Sequence, residues 1–416
     1  MRNVVLYICL MAATAGGAQN NVVYDSRIAS LQVMAEDDWE ALPIIELNSG
    51  DVINIGFDDL SHEYARFTYK LEHCEADWTV SEDMFDSDYM RGFAEGNTID
   101  DYEESFNTNT LYTHYTLSIP NSDCRPTISG NYKLTVFDEN NDNKPMFTAC
   151  FMITEQAASL ALSVTTNTDL SINSRHQQVT MELNYGGSLR VVDPETQIKT
   201  VLMQNRRWDN SRVNAKPQYK MHDGLKWYHC RDYVFNAGNE YHKYEILDVD
   251  HTTMGLESIE WDGEYYHVYP FINEPRKNYL YDEDADGAYC IRNSRNEDSD
   301  ITCDYVYVTF RVRCPQAVSG RLYVNGAWTN GRFSPEYELT YNAQSDLYEA
   351  TVMQKQGYYN YQYLLVDKEG NIRTPPFDGN YYQTENKYQA LVYFRGQGER
   401  TDRLVAYGEV QAKFTR

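Results

Sequence analysis

Short runs in which apolar and polar residues alternate with a period of two recur from one end of the chain to the other. Phe67, Tyr69 and Leu71 alternate with Arg66, Thr68, Lys70 and Glu72, and Tyr132, Leu134 and Val136 with Asn131, Lys133 and Thr135. The same pattern runs through Val179, Met181, Leu183 and Tyr185, through Val306, Val308, Phe310 and Val312, and through Tyr359, Tyr361, Tyr363 and Leu365. Successive side chains of a strand point to opposite faces, so each run predicts a strand with one buried face. Asn48-Ser49-Gly50-Asp51, Gly186-Gly187, Asn325-Gly326, Asn330-Gly331 and Glu369-Gly370-Asn371 supply turn signals between the runs. Helical periodicity is scarce, and 82–93 holds at most a short helical turn.

Many short strands with frequent turns predict an all-β protein of three tandem immunoglobulin-like or early-set β-sandwich domains. A first boundary is expected at 154–158, between strands at 147–153 and 160–164. A second is expected in the acidic stretch 282–300, where apolar residues thin out. The expected division is a leader at 1–18, an N-terminal sandwich at 19–156, a middle β-rich domain at 157–298 and a C-terminal early-set-like sandwich at 299–416.

The leader is read from Arg2, the apolar stretch 4–15 and the small residues Gly16-Gly17-Ala18, which suit cleavage after Ala18. A membrane span needs about 20 apolar residues, and neither this run nor any later segment reaches that length. Leu6-Tyr7-Ile8 ahead of Cys9 disfavours lipid attachment. The formal net charge of −26 becomes −27 once Arg2 leaves with the leader, so nucleic acid and anionic membranes are repelled. A transmembrane barrel would alternate too, but its outward face must be apolar, and the outward positions here carry Arg66, Lys70, Glu72, Lys133 and Arg313. Of 8 cysteines, Cys9 falls in the leader and an odd number stays, so at least one thiol has no intramolecular partner. An oxidising compartment permits one or two disulfides, and buried thiols are the default reading.

Candidate chemistry is sparse. Asp282, Asp284, Asp286 and Gly287 match the first half of a calcium loop, but Asn293 stands where the bidentate Glu belongs. The segment therefore reads as a solvated acidic turn or a weak calcium site, and no other metal site is expected. Asp138, Asn140 and Asp142 read as a hairpin turn. With 62 Asp and Glu residues, carboxylate pairs arise by chance and none can be assigned to glycoside hydrolysis. No nucleophile elbow, zinc-protease helix or phosphate-binding glycine loop occurs, so no catalytic residue and no cofactor is expected. The 36 tyrosines suit core rims and protein interfaces alike. Trp328, beside Asn325-Gly326, is either a packed turn residue or a sugar-stacking platform, the latter suggested by a loose likeness of the last domain to glycan-binding early-set modules.

Longer segments carry a resemblance to a known family. PIIELNSGDVINIGFDDL at 43–60, HCEADW at 73–78, DDYEESFNT at 100–108, YTHYTLSIPN at 112–121 and SGNYKLTVFD at 129–138 resemble the first domain of the type IX secretion system plug family. QNRRWDN at 204–210, AGNEY at 237–241, DGAYCIRN at 286–293, DYVYVTF at 304–310, DGNYYQTENKYQALVYFR at 378–395 and DRLVAYG at 402–408 resemble its later parts. The resemblance implies a non-enzymatic periplasmic protein of Bacteroidota. Such a protein binds the large outer-membrane translocon barrel of that system, closes its periplasmic opening and is peripheral to the outer membrane through this partner. SGNYKLTVF also resembles the sorting domain of secreted cargo, but it lies inside the first domain and not at the end of the chain. The alternative reading is a periplasmic or surface glycan-binding protein, and a weaker one is a hydrolase on a sandwich scaffold.

Overall fold

The computed structural model describes residues 21–295, 297–314 and 318–414; the predicted leader lies outside them. Strands dominate, as the alternating pattern requires, and 82–93 contributes a single helical turn at Asp86–Tyr89. In the first body one sheet runs Val22–Val23, Lys144–Thr154, Gly130–Asp138, Phe67–Cys74, Glu95–Thr98, with Ile44–Glu46 added in parallel to Lys144–Thr154. It faces a second sheet of Ile28–Ala35, Ile53–Asp59, Thr113–Ile119 and Asp101–Glu104. Phe57 of the second sheet reaches across to Phe67 and Phe147 of the first, with ring centroids 5.4 and 4.7 Å apart. This is the aromatic centre of a sandwich core.

The second body pairs a sheet of Ser159–Thr165, His176–Asn184, Gly224–Trp227 and Tyr219–Met221 with one of Arg207–Val213, Ile198–Gln204, Lys387–Phe394 and Arg403–Gln411. The last two strands of the chain therefore hydrogen-bond beside Ile198–Gln204, Val201 opposite Leu391. Strand pairing thus cuts across a linear division at 298/299: the C-terminal hairpin joins the sheet of the middle segment. The cause is apolar demand, since Ile198 and Leu202 need a cover that Tyr388, Ala390 and Val392 provide. The third body is built on a ten-stranded sheet whose path of eight strands runs from His242–Ile246 through Gly357–Val366, Leu347–Lys355 and Tyr305–Val312 to Leu256–Trp261, with Tyr289–Ile291 and Ile372–Arg373 added at Gly357–Val366. It wraps one core containing Tyr244, Val268, Phe310, Val352 and Tyr361.

Strands in two of these sheets are buried on both faces. Along Lys144–Thr154, Phe147, Ala149, Phe151 and Ile153 enter the first core, while Cys150 and Met152 enter a separate apolar layer. Along Ile198–Gln204 and Lys387–Phe394, Leu202, Ala390 and Val392 enter the second core, while Val201, Met203, Leu391 and Tyr393 enter that same layer from the other side. The first and second bodies thus form a stack of four sheets around three apolar layers. Each fully buried Leu, Val or Met side chain in the middle layer contributes roughly 1.5–3 kcal/mol.

Polar contacts fix the register of this seam. Asp402, 1% exposed, accepts from the Ala76 N–H at 3.0 Å, Lys199 Nζ at 2.7 Å and Arg395 Nε at 2.9 Å. Burial opposes its charge, but Lys199 and the Ala76 N–H hold its carboxyl below the usual range. Arg395 also pairs with Glu75, Arg403 with Glu155, and Tyr393 Oη donates to Asn131 Oδ1 at 2.8 Å.

The third body seats on the first through a buried ion network. Asp58 is 0% exposed and Lys355 1%; their charged atoms lie 2.6 Å apart, and His114 Nδ1 and Tyr305 Oη reach the same carboxylate at 2.6 Å each. Burial would raise the Asp58 pKa, yet Lys355 and His114 hold it below the ordinary value. Lys355 Nζ also donates to Asp300 O at 2.6 Å and sits 4.2 Å over the Tyr112 ring. Around this centre Tyr112 Oη donates to Cys303 O at 2.8 Å, and the Asn109 and Thr110 N–H groups donate to Asp304.

Removing one member of a buried pair leaves the other charge unsolvated, so Lys355→Met is expected to cost about 3–5 kcal/mol. The double variant Asp58→Asn/Lys355→Met should recover part of that loss. Denaturant titrations of the three proteins check this, and an unchanged midpoint for Lys355→Met would contradict the assigned role.

Candidate interaction surface

The residues singled out in the sequence do not converge. Asp282 pairs with Lys243 at 2.7 Å. Asp284 accepts the N–H groups of Tyr241 and Asp286. Asp286 and Gly287 have φ of 52° and 86°, and a Cβ at position 287 would lie 2.7 Å from the Tyr241 ring, so the glycine serves the turn. Asn293 Nδ2 donates to Thr302 Oγ1 at 2.8 Å, away from the turn. Among the described residues no three His, Cys, Asp or Glu side chains form a group able to hold a metal ion. The three aspartates thus shape a turn.

Asp138 likewise accepts the Asn140 N–H at 3.0 Å and pairs with Arg27 at 2.8 Å, as a hairpin turn does. Trp328 is 9% exposed, stacks on Phe310 with centroids 5.7 Å apart, and donates Nε1–H to Asn360 O at 3.1 Å. Its faces are core, so it offers no sugar platform. All seven cysteines of the described chain are thiols. Burial pushes Cys74, Cys124 and Cys303 up to about 12, which keeps them protonated and unreactive at neutral pH.

The surface feature that stands out is an edge. Asp101–Glu104 is the outermost strand of its sheet and all four residues are exposed. Asp100, Asp101, Glu103 and Glu104 line this segment, and the paired strand Thr113–Ile119 carries no Lys or Arg. Tyr102 is 42% exposed and Tyr64 58%, with rings 5.1 Å apart; Tyr102 also stacks on buried Tyr115 at 5.7 Å. Phe106, 68% exposed, follows where the Phe106 N–H reaches Ile301 O of the third body at 2.9 Å. An unpaired edge with uncompensated carboxylates and anchored aromatics suits a basic protein surface. The alternation pattern could not show it, because DDYEESF carries no apolar period. Its segment was legible only as part of a resemblance.

A second acidic group joins buried Glu240 to half-buried Asp284 and Asp286. Burial pushes Glu240 up to about 7 and Asp286 up to about 6, and burial with the charge of Asp286 raises Asp284 well above the carboxylate range.

A model of the family described as type 9 secretion system plug protein, first domain, matches residues 28–155. These are the residues of the first sandwich. A crystal structure of a hypothetical protein from Parabacteroides merdae is 36% identical, with 94% of this chain and 99% of that one aligned at a TM-score of 0.91. The chain belongs to the type 9 secretion system plug family. No curated protein matches it. Family membership points to a secretion-related plug role, a protein partner at the secretion system and a periplasmic location. Among the described residues of this plug-family chain, no helix is long and apolar enough to cross a membrane. The acidic edge 100–106 and Asp58 with His114 fall within the matched residues, whereas Lys355 and Tyr305 lie outside them.

The raised pKa of Glu240 has a defined sign. The folded chain binds this proton more tightly than the unfolded one, so the contribution favours folding below the ordinary value of 4.5 and is lost as pH climbs through about 7. Glu240→Gln keeps the acceptor for Tyr279 Oη and removes the charge. Thermal melts should show the variant more stable than the parent at about pH 8 and equal to it at about pH 4.

Proposed function

We propose that this protein is a non-enzymatic plug that binds the periplasmic mouth of the large outer-membrane translocon barrel of the type IX secretion system. It closes that opening, supporting protein secretion while keeping the permeability barrier. The observation that carries the reading is a first sandwich that matches the plug family and is locked to both other bodies. A plug must cover a pore without deforming. Three bodies joined by a dry apolar layer and a buried ion network meet that demand, because separation exposes apolar area or an unpaired charge. The net charge of −26 and the unpaired carboxylates at 100–104 suit a basic rim, and such charges chiefly speed association. The interface needs at least about 1,000 Å² to be specific. The reading assigns no catalytic residue and no cofactor. The domain division that goes with it is a first domain at 19–156, a middle one on the strands from Ser159 to Asn236 completed by the C-terminal hairpin, and a third on the strands from His242 to Arg373.

Affinity purification of the tagged protein from detergent-solubilised envelopes, followed by mass spectrometry, should recover the translocon barrel. Asp101→Lys/Glu103→Lys should reduce that recovery while leaving the melting temperature within a few degrees of the parent. Recovery of glycan-uptake proteins, or of no partner under conditions that preserve the translocon, would overturn the reading.

A further inference from the structure

The three bodies enclose a cavity of about 530 Å³ where they meet. Trp39 comes from the first body, Arg206 and Trp208 from the second, and Asp286, Asn330 and Phe333 from the third. These side chains are half-buried, so the cavity opens to solvent. Pockets for small molecules span roughly 300–1,000 Å³ and join apolar walls to a few placed polar groups.

Two polar atoms of the wall are buried without a hydrogen-bond partner: the acceptor Asp286 Oδ1 and the donor Trp208 Nε1. An orphaned buried polar atom is costly, and a group that both accepts and donates can partner either kind. A hydroxyl does so. The charges of the wall are already answered. Arg207 grips Asp209 through Nε at 3.1 Å and through Nη2. The Arg206 guanidinium donates to the carbonyls of Trp39, Ala285 and Asp286. Two arginines face two aspartates, which leaves no net charge for an ionic ligand to neutralise. Trp39, Trp208 and Phe333 offer apolar ring surface to the C–H face of a ligand.

We propose that this junction cavity binds a neutral saccharide of one or two rings, its hydroxyls bridging Asp286 and Trp208 and its ring face lying on the aromatic walls. The site is independent of Trp328, which is core, and of the proposed contact with the translocon. Its occupant touches all three bodies and so braces their junction.

Isothermal titration of the purified chain with glucose, N-acetylglucosamine, maltose, lactose and cellobiose tests this, with glucuronate and glycylglycine as charged counterparts. At least one neutral sugar is expected to bind saturably and to raise the melting temperature. Asp286→Asn is tolerated by the left-handed backbone, which Asn adopts readily, and Trp208→Phe keeps an aromatic ring; each should weaken binding by about tenfold, as loss of a hydrogen bond does. Trp261→Ala, on the far edge of the third body, should leave it unchanged. Absence of binding by every neutral sugar, tighter binding of the charged counterparts, or full affinity in both cavity variants would overturn the proposal.

Discussion

Strands with no wet face, in two of the β-sheets, hold this protein together. A sheet normally buries one side and shows the other to water. Lys144–Thr154 and Ile198–Gln204 instead present apolar side chains in both directions, one set to their own sandwich and one to the layer of Val201, Met203, Leu391 and Met152 between them. Separating the first two bodies would wet that layer, at a cost comparable to opening a sandwich core. The C-terminal hairpin is bound into the arrangement because Leu391, Tyr393 and Leu404 are three of the ten buried residues of the layer.

Apolar layers hold bodies together without fixing their orientation, since dispersion and water exclusion are non-directional. Orientation comes from the buried polar centres. Asp402 draws a backbone N–H of the first body and two cations of the second to one carboxylate. Asp58 gathers Lys355, His114 and Tyr305 at a single point between the first and third bodies. Each carboxylate is stable as an ion only with all its partners seated, so a slip of either interface is penalised sharply.

A rigid body of this kind matches what closing a pore demands, and the surface chemistry divides along the same lines. Loops and edges outside the layers carry the acidic and aromatic groups, as at 100–106, where adaptation to a partner costs no core contact. The cavity at the three-way junction is the counterpart on the inside, a place where the bodies meet but do not fill space, and where Asp286 and Trp208 keep hydrogen-bonding capacity unspent.

Strand content, one-sided strands such as Phe67–Cys74, and the hairpin turns were legible from the chain alone, because a period of two and Gly, Asn or Asp at a turn are local requirements. The continuous apolar runs at 149–153 and 390–394 form strands without a wet face, but a run of that kind names no partner. Residue spacing left Asp282, Asp284 and Asp286 open as a solvated acidic turn or a weak calcium site, and their arrangement in a turn follows from the backbone path, which spacing does not give. Which strands pair over 190 residues of separation, which carboxylate meets Lys355, and whether Trp328 faces sugar or core were decided only by the tertiary structure. Those outcomes depend on which apolar surfaces compete best for burial, and that competition involves the whole chain at once.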